Sequence, residues 1–410
     1  MRGFTSMSRV FMRETEKKAT SQLMRKFWPL YAILFLVGAE MYVVAPLLEN
    51  ISSDLRVSLS AAAQLVTAYV LVQAIGGPFI GLLYKKLGPR SMIVTGIFIF
   101  AIGNMASALA QNYGLVLACR GLAGLGVSFF GPAAWIWMSQ TVAPHLRGRS
   151  IGYGMAAFAL GQVFGVPIGA FSSTFYSWRA VVAVLGGMSL LALPSIWKKI
   201  GPLARLEAGG GPSSNHWLHS LLAPWRIKEL QWSYLLTFLF HAASLGAYTF
   251  LAVRLMRDFA LSETLVGIVG VLSGVGTLLG SIVAGYLSDK SAKRGRSSAL
   301  LLTYWVLGVS VAIPIALGSP WVMLSILSVL AWFVFSGAFD SNQQDSVMQL
   351  SGESPAPTLA WNTSMLYAAG AVGIWTLGIA PESSVFIATS ACLLALLGLL
   401  AALRLRMLVR

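Results

Sequence analysis

Gly81-Leu82-Leu83-Tyr84-Lys85-Lys86 and Gly285-Tyr286-Leu287-Ser288-Asp289-Lys290 each close an apolar run, and they stand about half of the 410-residue chain apart. A repeat at that distance reads as two like halves. Working outward from the first copy, apolar runs occupy about residues 27–48, 60–84, 91–110, 114–138, 150–175 and 179–197. Around the second copy they occupy about 230–253, 264–287, 298–317, 320–342, 358–379 and 383–403. Between the halves lies the polar stretch 198–229, in which Gly209-Gly210-Gly211-Pro212-Ser213-Ser214 reads as a flexible linker.

Each run has the length of a bilayer span, about twenty residues. The chain is 57% hydrophobic and 10% charged, too apolar for a soluble domain whose own exterior must be wet. Lipid offers backbone groups no hydrogen bonds, so the spans must be helices. Outer-membrane strands would be about ten residues long and alternating. The expectation is an all-α membrane protein of about twelve transmembrane helices in two pseudo-symmetric six-helix halves. Its parts are a basic N-terminal segment 1–26, a first half 27–197, the linker 198–229 and a second half 230–410 with a short tail. The first run is too long for a signal-peptide core and has no small-residue cleavage site, so it stays as helix 1.

The net charge of +15 does not indicate nucleic acid, because the basic residues sit in short clusters between apolar runs. Cys119 and Cys392 fall inside runs and lack metal-ligand spacing, so they read as small core hydrophobes. No catalytic constellation, nucleotide-binding loop, cofactor site or resident metal is expected. Lys and Arg are sharply divided between the loops. Arg2 to Lys26, Lys85, Lys86, Arg90, Arg147, Arg149, Lys198, Lys199, Lys290 to Arg296 and Arg404 to Arg410 fall on one side. Arg56, Arg179, Arg254 and Arg257 fall on the other. The positive-inside rule then puts both termini and the linker in the cytoplasm.

Several stretches resemble the drug:proton antiporter branch of the major facilitator superfamily, including its sugar-efflux members. Gly81 to Arg90, with Lys85 and Gly88, is similar to that family's loop signature, although Lys85 stands where the family has an acid. The second copy, Gly285 to Lys290, keeps the acid as Asp289. Arg120-Gly121-Leu122-Ala123-Gly124-Leu125-Gly126 resembles the helix 4 motif, with Ala123 for a glutamine. Gly161, Gly165, Pro167 and Gly169 resemble the helix 5 antiporter motif, with the proline one place later. Glu40 to Pro46 is similar to the pattern around a membrane-embedded acid in efflux permeases. The resemblance implies the major facilitator fold, alternating access, a small-molecule substrate moved against protons, a monomer, and a place in the cell (inner) membrane. It also implies that Lys85, Gly88, Arg90 and Asp289 belong to gating loops, and that helices 1, 4, 7 and 10 line the cavity. An importer, or an exporter of a polar metabolite such as an opine metallophore, would fit the same motifs. A non-transporting sensor or lipid-handling protein on the same scaffold would also fit.

Charges inside a membrane are costly and mark pathways. At a rise of 1.5 Å per residue, Glu40 lies about 18 Å along helix 1, and Arg120 about 10 Å along the oppositely directed helix 4. They stand at similar depth and can interact. Glu40 is either the coupling proton's carrier or half of a static ion pair. His241, about 17 Å into helix 7, is a titrating group or a hydrogen-bonded packing residue. Asp340, Asn342 and Gln343 either line the cavity mouth or mark where helix 10 leaves the bilayer. Trp361 and Asn362 on helix 11 are further cavity candidates, and lipid-facing or packing roles are open to the aromatics. The helix 5 glycines and Pro167 read as a hinge or a packing face.

The charge asymmetry makes a direct prediction. Reporters fused after Glu207 and after Arg410 should both register cytoplasm, and one inserted near Asp258 should register the exterior. An external C-terminus would overturn the even number of spans.

Overall fold

The computed structural model describes residues 25–142, 147–175, 177–200, 221–292, 298–351 and 355–409. It describes their side chains except at 80–86, 139–140, 147–149, 151–152, 173–175, 288–292, 298 and 355–356. Most of the expected N-terminal segment and linker therefore lies outside the described residues, as do the surroundings of Gly81 and the side chains of Lys85 and Asp289.

Every regular element among the described residues is helical. Helix α1 spans Arg25–Val43, and a 3-10 turn, Ala45–Leu47, with a short helix, Leu48–Leu55, continues it. Pro46 sits at the start of that turn, where its missing N–H costs nothing. The stretch Leu59–Leu109 is helical except at Gly88, whose φ of 75° and ψ of 163° only glycine adopts without strain. Its two arms, α2 (Leu59–Phe79) and α3 (Leu87–Leu109), are separate spans. The loop expected between Gly81 and Arg90 thus contracts to a break at one glycine. In the second half Gly285, the counterpart of Gly81, lies within a continuous helix. The remaining helices are α4 (Tyr113–Gln140), α5 (Arg147–Phe175), α6 (Trp178–Lys199), α7 (Lys228–Phe259), α8 (Glu263–Ala292), α9 (Ser298–Gly318), α10 (Val322–Leu350), α11 (Pro355–Leu377) and α12 (Ser384–Leu408). Among the described residues, eleven helices have the length and hydropathy of a membrane span. The twelfth, α11, carries Thr358, Asn362, Thr363 and Ser364, which lower its hydropathy. It nevertheless packs lengthwise against α2 and α7.

The packing repeats from half to half. Helix α1 lies on α5, as α7 lies on α11. Helix α2 lies on α4, as α8 lies on α10. Helix α3 lies on α6, as α9 lies on α12. Across the seam between the halves, α2 meets α11 and α5 meets α8. Two arginines repeat the theme. Arg179 donates to the Ala108 and Ala110 carbonyls at the end of α3 and pairs with Asp54 at 2.9 Å. Arg254 donates to the Ala316 and Ser319 carbonyls at the end of α9 and pairs with Asp258 at 3.1 Å. Each cation satisfies orphan carbonyls at a helix C-terminus, where the dipole favours positive charge.

Lys26 donates to the Thr141 carbonyl at 3.0 Å, and Lys199 donates to that of Arg25. The start of α1 and the ends of α4 and α6 therefore share one end of the bundle, here called the terminal end. At the opposite end the halves are joined by Arg257 and Glu49, 2.9 Å apart. Nearer the middle, the rings of Tyr42 and Tyr248 pack 4.8 Å apart across the seam. On the outer faces Leu191, Val184 and Met188 of α6 and Leu393 and Leu400 of α12 are exposed. Such a continuous apolar exterior suits hydrocarbon and not water.

Helix α5 shows how residue spacing serves packing. Gly161, Gly165 and Gly169 recur every fourth residue and so share one face, which lies on Phe35, Ala39 and Val43 of α1. Gly38 of α1 meets the Phe158 carbonyl in return. The other face carries Val163, Val166 and Pro167, which press on Gly274, Gly270 and Gly267 of α8. A methyl on Gly161 would overlap the Phe35 carbonyl, whereas Gly131 of α4 has open space around it. Gly161→Ala should therefore cost about 1–3 kcal/mol of stability. Gly131→Ala should be neutral or gain up to about 1 kcal/mol. Unfolding midpoints in detergent will distinguish the two; equal midpoints would mean that α1 and α5 can move apart freely.

Candidate functional site

The close α1–α5 contact turns Glu40 away from α5 and toward α3 and α4. There it is completely buried, and so is Asn104, while Arg120 is 3% exposed. Arg120 Nη1 bonds Glu40 Oε1 directly. Asn104 Nδ2 donates to Glu40 Oε2 at 2.9 Å and to the Phe100 carbonyl at 3.1 Å. The Asn104 Oδ1 accepts from Arg120 at 3.4 Å. The Tyr69 ring of α2 lies 4.6 Å from the guanidinium carbon. Four helices thus converge on one carboxylate, and both of its oxygens are occupied. The interaction that depth alone allowed is a direct ion pair.

Physically this is a closed, dry site. Burying a carboxylate without partners would cost far more than the helices could offset, so the pair and the amide are what permit Glu40 here. Asn104 and Tyr69 were not singled out by motif. Asn104 had one legible signal, a lone amide in the apolar run of α3; Tyr69 had none, because tyrosines are common in such runs.

In the second half, His241 of α7 and Asp340 of α10 meet, with Nε2 and Oδ1 3.1 Å apart. The His241 side chain is 9% exposed and that of Asp340 is 47% exposed. Asp340 is therefore open to solvent while His241 is enclosed. Three residues beyond His241 on α7, Ser244 accepts from Trp332 Nε1 at 2.8 Å and approaches Ser336 at 3.5 Å. Toward the terminal end, Gln343 donates to Ser233 Oγ at 2.9 Å and to Thr237 Oγ1 at 2.7 Å, and Thr237 donates to Asn362 Oδ1 at 2.7 Å. Gln343 and Asn362 therefore belong to one polar seam joining α7, α10 and α11.

Two of the candidates point elsewhere. Asn342 is buried and accepts from Trp305 of α9 at 2.7 Å. Trp361 donates to the Leu221 carbonyl at 2.8 Å and packs on Trp225, just ahead of α7. Arg90 lies against the Trp197 ring, 3.7 Å from its centroid, and joins α3 to α6. The described residues contain no group of three or more His, Cys, Asp or Glu able to hold a metal ion.

Among the described residues, twelve long helices in two repeating halves, with buried charges at the centre and an apolar exterior, define a multi-pass membrane protein. Residues 30–374 match the sequence profile of the Major Facilitator Superfamily. The chain belongs to that family and is a membrane transporter acting on a small-molecule substrate. It is 29% identical over 284 residues to a chloramphenicol resistance protein of Streptomyces lividans, covering 68% of this chain and 71% of that one. It is 25% identical over 349 residues to the inner membrane transport protein YdhP of Escherichia coli, covering 84% and 87%. Its fold matches a bacterial homologue of the human lysosomal transporter Spinster, in an inward-facing and unoccupied conformation. That match has a TM-score of 0.71 at 18% identity and covers 95% of this chain and 94% of that one. The D-xylose-proton symporter matches with a TM-score of 0.72 at 18% identity, covering 92% and 96%.

The closed pair makes a stability prediction. Arg120→Ala leaves a buried carboxylate without its cation and should destabilise the protein by about 3–5 kcal/mol. Replacing both partners by leucine should recover most of that loss, because no charge is then stranded. Unfolding of purified protein in micelles measures both. A double variant no more stable than Arg120→Ala would locate the loss outside the pair.

Proposed function

We propose that this protein exports a small organic solute in exchange for protons, by alternating access of its two six-helix halves. It works as a monomer in the cell membrane, with both termini in the cytoplasm. The observation that carries the reading is the Glu40 site: a fully buried carboxylate, closed by Arg120 and Asn104, on a helix that also touches the seam. Glu40 takes the coupling proton when Arg120 withdraws, and Arg120 competes with the proton for the same oxygens. The far-end contacts, Glu49 with Arg257 and Tyr42 with Tyr248, support a state closed outward. The half-exposed Asp340 supports a cavity open toward the terminal end. The division of Lys and Arg supports that end as cytoplasmic.

Export of an organic compound is supported by the likeness to the chloramphenicol resistance protein. Segments 27–197 and 230–410 are the moving units, and 198–229 tethers them. The α1–α5 glycine contact lets helices slide without losing backbone satisfaction, which suits Gly161, Gly165, Pro167 and Gly169 to a shear hinge. Asp289, on the loop copy that keeps its acid, contributes more to gating than Lys85.

Proteoliposomes with an imposed pH gradient test the central claim, with chloramphenicol as the first probe in a panel of sugars, opines and cationic drugs. Glu40→Gln fixes a neutral side chain and should abolish gradient-driven accumulation while sparing downhill exchange. The wild-type pH dependence of exchange should flatten. Full accumulation by Glu40→Gln with an unchanged pH profile would remove Glu40 from the role.

A further inference from the structure

The histidine–aspartate contact in the second half has a proton count that follows from its geometry. His241 Nδ1 lies 2.9 Å from the Thr237 carbonyl oxygen. A carbonyl oxygen accepts and never donates, so Nδ1 carries a hydrogen. Nε2 lies 3.1 Å from Asp340 Oδ1. In a neutral ring with its hydrogen on Nδ1, Nε2 presents a lone pair, and an ionised carboxylate also presents lone pairs. Two acceptors do not make a bond. The contact therefore requires one further proton, held as imidazolium facing carboxylate or as neutral imidazole accepting from a carboxylic acid.

We propose that His241 and Asp340 form a one-proton site in the second half, separate from Glu40, and that loss of this proton breaks the link between α7 and α10. Exposure sets the exit route. His241 is enclosed by Phe240 and Phe339, whose rings lie 5.3 and 5.9 Å from the imidazole and stack on each other at 3.7 Å. Asp340 is the member that reaches the cavity, so the proton passes through its carboxyl to water. What remains is an Nε2 lone pair against a carboxylate. The attraction is gone, and water draws the carboxylate into the cavity.

From α1, Tyr42 brings its hydroxyl within electrostatic reach of Asp340, and Tyr248 packs behind it. Helices α9 and α11 carry no charged residue. The charges of α12, Arg404 and Arg406, lie in its last turns, and those of α8, Glu263, Asp289 and Lys290, lie at its two ends. Among the described residues Asp340 pairs with no cation besides His241, in contrast to Glu40, which Arg120 occupies. Tyr42 also couples the site to the seam, since it belongs to the first half. The site exists whatever the cargo. Its use in the cycle rests on the transport reading above and would add a second proton to that cycle.

Nitrogen NMR on full-length protein with labelled histidine, in lipid nanodiscs without substrate, tests the site directly. The chain has four histidines, and His241→Asn identifies the signal. Nδ1 should stay protonated at every pH, while Nε2 passes from hydrogen-bonded to a bare lone pair as pH rises. Asp340→Asn removes the counter-charge and should displace the wild-type titration curve of His241. Asp340→Glu should restore it, and Glu40→Gln should leave the curve in place. A neutral His241 with its hydrogen on Nε2 would overturn the proposal from the wild-type spectrum alone, even where Asp340→Asn fails to fold. So would a titration indifferent to Asp340→Asn. No flux is measured, so this outcome and the fate of the transport reading are independent.

Discussion

Inside hydrocarbon no water repairs a broken hydrogen bond, and the structure is organised around that constraint. It makes the spans helical, and it sends Arg179 and Arg254 to the carbonyls that end α3 and α9. It also explains why Glu40 is met from two directions at once. An arginine alone would leave one carboxylate oxygen bare, and Asn104 covers it. With little hydrophobic force between helices in lipid, close approach through small residues supplies much of the remaining cohesion. The α1–α5 face is the clearest case, where three glycines at helical spacing bring two backbones together.

The two halves share their packing and differ in their chemistry. Helix pairs repeat from half to half, yet the polar centre of the first half is sealed and that of the second is open. Glu40 and Arg120 exclude water. Asp340 faces it, beside an enclosed imidazole. Backbone symmetry is set by small residues and helix lengths, which tolerate almost any side chain on the inward face.

The motifs located these helices but left the partners open. The helix 5 glycines were legible as a packing face or hinge, and the structure shows the face they make. Gly88 was legible as a turn, and its positive φ is that turn. Asn342, grouped by sequence with Asp340 and Gln343, turns toward α9, because neighbours on a helix point about 100° apart and cannot share one face. Trp361, an aromatic wall in prospect, caps the approach to α7.

By itself the sequence determined the helical spans, their division into two like halves, the scarcity of intramembrane charge and the resemblance to a transporter family. All of these are written in local composition and spacing, and a bilayer reads composition directly. Tertiary structure alone decided that Glu40 touches Arg120 and Asn104, that His241 meets Asp340, and which of the polar residues on α10 is exposed. Those facts depend on the rotation of each helix about its axis. That rotation is set by the sum of contacts with neighbours distant in the chain, and a shift of one residue, about 100°, would exchange a cavity-lining side chain for a buried one.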